Sequence, residues 1–416
     1  MNLPKMATIT QRYDASHIRD VEQETRSTIE RSGLLKKIKK GDRVAVGVGS
    51  RGIAGLAKIV STVCRLLAEN GGEPFIFPAM GSHGGGTSKG QEQVLHALGI
   101  SRETAGAGIL SDANGELAGE TEEGIPVYVD RYAKKAAHVV VINRIKPHTK
   151  FKGPIESGIL KMLSVGMGKA QGAAILHRSA VEFGFPRVIR SVGQKALQIL
   201  PFLFAVAIIE NPYKKIHSLS LLTKDTIREE EKLLEKASAI MPRIPFEKFD
   251  LLIVDEIGKD ISGTGMDTNV TGRNRDILGV FNIFPKIHRI FVRDLTEKTG
   301  GNANGIGFAD FTTRRLVDKI DFKKTYTNAL TAMSPEKAAI PVTMANDREA
   351  IEAALDSIGF RDGKEAKILR IKNTSELTLL QISEALLPLP SEIKGARIEI
   401  TGQPEAMSFD ADGFLL

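Results

Sequence analysis

The chain of 416 residues has one cysteine, no tryptophan, and aromatic side chains at only 6% of positions. A lone thiol, Cys64, excludes an intrachain disulfide and any zinc or iron–sulfur centre built from several cysteines. It falls in the apolar-periodic segment 53–67, where a buried, inert thiol is expected. Long apolar runs are also missing: the most apolar stretch, 196–209, is interrupted by Gln198 and Pro201 and is too short to span a bilayer. The first residues lack the charged-then-apolar pattern of a secretory signal, so a cytoplasmic location is expected. Nor does one sign of charge dominate. The 57 basic and 50 acidic residues give a net charge of +7 and are scattered along the chain. Clusters are short, such as Lys36, Lys37, Lys39 and Lys40, which read as a solvated helix end. Without an aromatic-interleaved basic stripe, this balance favours small anionic ligands, and neither nucleic acid nor a membrane is an expected partner.

What is present is glycine, 40 residues of it, and an alternation of strand and helix patterns. Residues 43–48 (RVAVGV) read as a buried strand, 53–70 as a helix stopped by Gly71 and Gly72, 73–77 as a strand, and 90–98 as a helix. Strand, helix, strand, helix is the signature of a parallel α/β sheet. The acidic and polar segment 111–124 reads as a surface excursion, followed by strands at 127–129 and 138–142. Helices over 169–184 and 186–200, a strand at 202–209 and an amphipathic helix at 225–240 complete an N-terminal α/β domain, residues 1–240. The segment 241–249 (MPRIPFEKF), with two prolines and no periodicity, reads as a linker. A second α/β domain, 250–416, follows, with strands at 251–255, 290–292 and 367–371 and helices near 322–333 and 347–355. The strand-bearing, apolar-ended tail 396–416 is expected to pack back, with the last strand on the N-terminal domain. Two α/β domains with mainly parallel sheets are therefore expected.

Three loops that follow strands carry ionisable groups among glycines. In the first, Gly49, Ser50, Arg51 and Gly52 precede a helix. Amides at a helix start and a guanidinium together suit a carboxylate or phosphate, although a plain surface arginine fits the pattern equally well. In the second, 80–87 (MGSHGGGT), His83 stands beside Gly84, Gly85, Gly86 and Thr87, in a backbone free to approach a ligand. It is neither a Walker A loop nor a dinucleotide fingerprint, since no Gly-Lys-Ser/Thr ends it and no acidic ribose contact follows. The third begins at His148, after Pro147, and passes Gly153, Pro154 and Gly158 to reach Lys161; His177 lies sixteen residues beyond, on an apolar-periodic segment. A strand's carboxyl end is where open α/β sheets place ligands. Imidazole and amine suit proton transfer, metal ligation and covalent attachment. A three-histidine metal hydrolase is one chemistry for such a set, but it leaves Lys161 without a role.

The segments AMGSHGGGTSKGQ and 145–177 resemble the nickel-pincer-nucleotide lactate racemase family, and the resemblance extends over most of the chain. It implies two domains with the active site in the cleft between them. It further implies that Lys161 carries a covalently tethered nicotinic-acid-derived cofactor (a nickel pincer nucleotide), with Gly84, Gly85 and Thr87 near that cofactor. His177 would ligate the nickel, Arg51 would bind the substrate carboxylate, and His83 and His148 would be the two opposed acid/base groups. A second-domain cation completes the family's substrate site, for which Arg273 or Arg275 in MDTNVTGRNR is the candidate. The implied activity is racemisation or epimerisation of a 2-hydroxy acid, isomerase chemistry in which hydride removal gives a stable keto acid. A small anionic 2-hydroxy acid and the cofactor-synthesis enzymes are then the expected partners. The alternative from the residues alone is a cofactor-free binding protein for an anionic nucleotide or sugar acid.

Overall fold

The structure, a computed structural model, describes every residue except 278, 280, 282, 283 and 390–394. The chain forms two compact units. One comprises Ala15–His148 and Lys152–Met241; the other comprises Met1–Asp14, Thr149–Phe151 and Pro242–Leu416.

The first unit is built on a six-stranded sheet in the spatial order Gly108–Ile109, Glu73–Pro78, Arg43–Val48, His138–Arg144, Phe202–Glu210, Ile216–Leu222. The first five strands run parallel and the last is antiparallel. Arg43–Val48 is buried at every position but its first, as expected of a strand covered on both faces. Gly47 serves close packing, because a Cβ there would sit 2.8 Å from the Phe77 ring. The helix Leu56–Glu69 lays Leu56, Ile59, Val60, Val63 and Leu67 on the sheet, and burial pushes the Cys64 thiol up to about 12, which leaves it inert. Chain order reverses between Arg43–Val48 and His138–Arg144, the topological switch point, so the crevice at their carboxyl ends is bordered by the loops that carry Arg51 and His148.

The segment 111–124 is more than an excursion. Gly115–Glu120 pairs antiparallel with Pro126–Asp130 in a separate two-stranded sheet. Its glycines and carboxylates conceal the strand, because nothing in the local pattern marks the partner against which it pairs.

The second unit holds a nine-stranded mixed sheet. Val342–Met344, Phe311–Thr313, Lys286–Leu295, Lys248–Ile257 and Ile368–Asn373 are parallel neighbours. Glu376–Ser383, Lys5–Tyr13 and Ala396–Ile400 continue it antiparallel. The helix Asp347–Asp356 buries Ala350, Ile351, Ala354 and Leu355 in a core with Leu251, Ile253, Phe291 and Ile368.

Two expected boundaries change here. Residues 1–14 belong to this unit and not to the one that follows them, since Lys5–Tyr13 lies between Glu376–Ser383 and Ala396–Ile400. The tail also pairs within this unit, Ile400 opposite Ile9, and not on the N-terminal sheet. The strand in KMATITQRY is legible from its alternation, but alternation does not name a partner several hundred residues away. Thr149–Phe151 belongs here too. Lys150 is buried, with its Nζ 3.3 Å from Asp276, which Lys337 (2.6 Å) and the Ser334 hydroxyl (2.8 Å) also engage.

Candidate active site of the N-terminal unit

Arg51 follows the strand Arg43–Val48. Its side chain reaches solvent, yet it is crowded by surrounding protein: loss of hydration, and then the like charge of Arg144, pull its pKa below the usual value. Arg144, at the end of the adjacent strand, is paired with Glu210, and the second oxygen of that carboxylate accepts the Ala54 N–H at 2.7 Å. Glu210 thus fixes both walls around Arg51. Ser50, the preceding residue, hydrogen-bonds Nδ1 of His83. When Nδ1–H is the donor to Ser50, Nε2 carries the lone pair and can act as a base.

The His83 loop is a backbone device. Gly81, Gly84, Gly85 and Gly86 all have φ between 60° and 68°, a region L side chains rarely occupy. Gly84 folds back on Gly90 so closely that a Cβ on Gly90 would lie 1.9 Å from the Gly84 carbonyl oxygen. The buried Gln91 amide donates to the Gly81 carbonyl at 2.9 Å. Thr87, expected beside the cofactor, has a structural role here: its hydroxyl accepts the Gly90 N–H at 3.1 Å and caps the helix Ser88–Ala97. Gly85 alone of these glycines has open space at its Cβ position; Gly84 is cramped against Gly90, and a Cβ on Gly86 would meet Ala170 at an ordinary 3.5 Å.

His148 opens the third loop, which is organised by one carboxylate. Glu156 is buried and accepts the His148 backbone N–H at 2.5 Å, the Gly153 N–H at 3.2 Å and the Lys152 ammonium at 3.2 Å. The loop ends at Gly158, whose carbonyl accepts from the Asn143 amide at 2.8 Å. Ile159–Lys161 then forms a single helical turn that runs into a π-helical segment, Met162–Gly166. Such segments concentrate at functional sites. Burial first, and then the positive field of Arg51, lower the Lys161 amine to about 7, with Glu156 opposing. A lysine at that value is substantially unprotonated, and therefore nucleophilic, near neutral pH.

These couplings join four of the sequence-derived residues in one neighbourhood: His83 through Ser50, Arg51 beside it, Lys161 within the field of Arg51 and Glu156, and His148 on Glu156. His177 sits on the next helix, Lys169–Phe183, with its ring edge-on to Phe185 at 5.5 Å between centroids. That helix starts at Lys169, which is buried with a positive φ of 56°. Its Nζ is 2.8 Å from Asp130 and donates to the Pro78 carbonyl at 2.6 Å, where the strand leading to His83 ends. Ser50, Glu156, Asn143 and Lys169 are the contributors that sequence reasoning missed. Ser50, Glu156 and Lys169 lie inside segments already singled out, but their roles, like that of Asn143, show only through their contacts.

Arg273 and Arg275, in the other unit, do not present free cations to a ligand. Arg273 donates to Asp310 and to the Ile287 carbonyl, both at 2.8 Å. Arg275 donates to the Gly307 and Ala309 carbonyls, at 3.0 and 3.1 Å, and pairs with the same Asp310. Together they form a double clamp on the 307–310 turn.

No protein-family model matches the sequence. No curated protein matches it either. Among solved structures, the chain is similar to the lactate racemase apoprotein from Thermoanaerobacterium thermosaccharolyticum, with a TM-score of 0.52 over 88% of this chain and 94% of that one, at 13% identity. The chain has a lactate racemase-like fold. At that identity the shared property is architecture, and the chemistry rests on the residues described above.

Proposed function

We propose that the protein is an isomerase, a racemase or epimerase of a 2-hydroxy acid, acting by hydride transfer with a nickel pincer nucleotide tethered at Lys161. The observation that carries this reading is the placing of Lys161 in a single helical turn that runs into a π segment, where burial and the field of Arg51 lower its amine. A covalent tether gives such an amine a role that a three-histidine hydrolase or a simple binding protein does not require. Among the described residues, no three His, Cys, Asp or Glu side chains group to hold a metal by themselves. His177 would supply the chain's own ligand to the nickel of such a group. When bound, such a group supplies a metal-activated pyridinium that accepts and returns hydride.

The chain's own residues do the rest. Arg51 holds the substrate carboxylate, and poor hydration strengthens its attraction for that anion. His83, with Nδ1 on Ser50, takes the hydroxyl proton at Nε2 and returns it. His148, its loop fixed by Glu156, serves the opposite enantiomer in the same way. Gly84 and Gly85 keep the backbone thin beside these groups.

The test is production alongside cofactor-synthesis enzymes, intact-mass analysis, nickel analysis, and a panel of chiral 2-hydroxy acids. An adduct on Lys161, stoichiometric nickel and inversion of one acid are expected. An unmodified Lys161 without nickel or turnover sinks the proposal, and full ligand affinity in Lys161→Ala would favour the binding-protein reading.

A further inference from the structure

The turn that presents Lys161 has no capping side chain of its own, because its N-cap position is Gly158. The missing acceptor arrives from seventy residues further along the chain. Glu230, the first residue of the helix Glu230–Ile240, is 2% exposed, and its Oε2 accepts the Leu160 N–H at 3.0 Å; the Ile159 N–H also donates to this carboxylate. Gly158 is matched to it: a Cβ there would stand 1.9 Å from Glu230 Oε1. On the other side, the Gly158 carbonyl accepts from the Asn143 amide and from the Met162 N–H at 3.1 Å. Behind the turn, a Cβ on Gly193 would come within 2.9 Å of the Leu160 carbonyl, so the helix Phe185–Ile199 backs it closely. The neighbouring carboxylate, Glu231, is engaged with Arg190 at 2.7 Å and does not share the task.

We infer that Glu230 is a positioning residue for Lys161, capping the Ile159–Lys161 turn from a distant helix so that the amine is held in its poorly hydrated place beside Arg51. The physical logic is that a buried carboxyl is costly unless hydrogen-bonded: burial pushes Glu230 up to about 7, and the hydrogen bonds it accepts from the two amides immediately before the lysine oppose that rise. If the cap is lost, those amides seek water, the turn opens, and Lys161 regains hydration. Glu230 touches no reacting atom, and it acts through the backbone alone. The inference builds on the reading of Lys161 as the attachment point.

The experiment follows the rate of Lys161 modification by trinitrobenzenesulfonate against pH, read by peptide mass spectrometry on the full chain, for wild type, Glu230→Gln, Glu230→Ala and Glu230→Asp. Wild type is expected to titrate with a midpoint at about 7. Glu230→Gln keeps an acceptor oxygen and keeps that midpoint. Glu230→Ala raises it by about one unit or more, so modification at pH 7 drops about fivefold or more. Glu230→Asp retracts the carboxylate by one methylene and behaves like Glu230→Ala, which keeps the test open if the alanine variant does not fold. A folded Glu230→Ala or Glu230→Asp with the wild-type midpoint and rate overturns the inference, because lost stability alone does not hold a midpoint in place. The intact-mass test separates the two ideas: a midpoint shift without any cofactor adduct upholds Glu230 and defeats the tether, and an adduct with no shift does the reverse.

Discussion

Lys161 and Lys169 show how differently two buried amines are handled within one segment. Lys161 is held near neutrality by poor hydration, whereas an unfolded lysine keeps its proton until about 10.5. Between about 7 and 10.5 the unfolded state therefore binds more protons than the folded one, and stability rises with pH across that window. Urea midpoints measured against pH should show this slope in wild type and a flatter one in Lys161→Met. Lys169 instead keeps a dedicated partner, Asp130, which also accepts the Tyr132 and Ala133 N–H groups at 2.9 and 3.1 Å. Lys169→Met strands that carboxylate and should cost about 3–5 kcal/mol, partly recovered in Lys169→Met/Asp130→Asn. A loss under about 1 kcal/mol in chemical denaturation would contradict the ion pair. Arg51, His83, His148 and Lys161 stand out in the sequence as ionisable groups in glycine-bearing segments that follow strands. Glu230 does not, because a carboxylate in an acidic and basic helical run looks solvated until its partner is seen. Arg273 and Arg275 form a conspicuous run, but their shared partner Asp310, 37 and 35 residues on, was not legible from it.

At the scale of elements, the His83 loop and the Lys161 turn share a plan in which glycine makes room and a neighbouring side chain closes the backbone. Gly90→Ala would drive a methyl into the Gly84 carbonyl and should displace His83, lowering kcat with thermal stability reduced in parallel. Thr87→Ala removes a helix cap and the hydroxyl's hydrogen bond to the Gly84 carbonyl, and should cost about 1 kcal/mol in thermal or urea unfolding with cofactor loading unchanged. A large loss of loading in Thr87→Ala would return Thr87 to the role that the resemblance implies. Strand and helix positions were mostly legible from periodicity, as in 43–48, 169–183 and 185–199. The pairing Gly115–Glu120 with Pro126–Asp130 was not, and neither was the π segment 162–166, whose geometry depends on what packs around it.

For the whole molecule, the assignment of residues 1–14 matters most. Ile9 is fully buried and pairs with both Leu380 and Ile400. Ile9→Asp should abolish hydrogen-exchange protection in 248–257 and 376–383 while leaving 43–48 and 138–144 protected. Simultaneous loss in all four segments would show that the two units unfold as one. The α/β class was visible in the alternation of elements, but the path of the chain was not, because pairing across several hundred residues leaves no local trace. Met6 meets Ser383, so this strand leaves the ribosome long before its neighbours exist. At ordinary rates of synthesis the wait is on the order of tens of seconds, during which an unpaired β edge is exposed to every other nascent chain. The six-stranded unit can be complete in that interval. Its partner cannot, and factors that shield nascent strands should govern the yield of active protein more than the stability of either finished unit does.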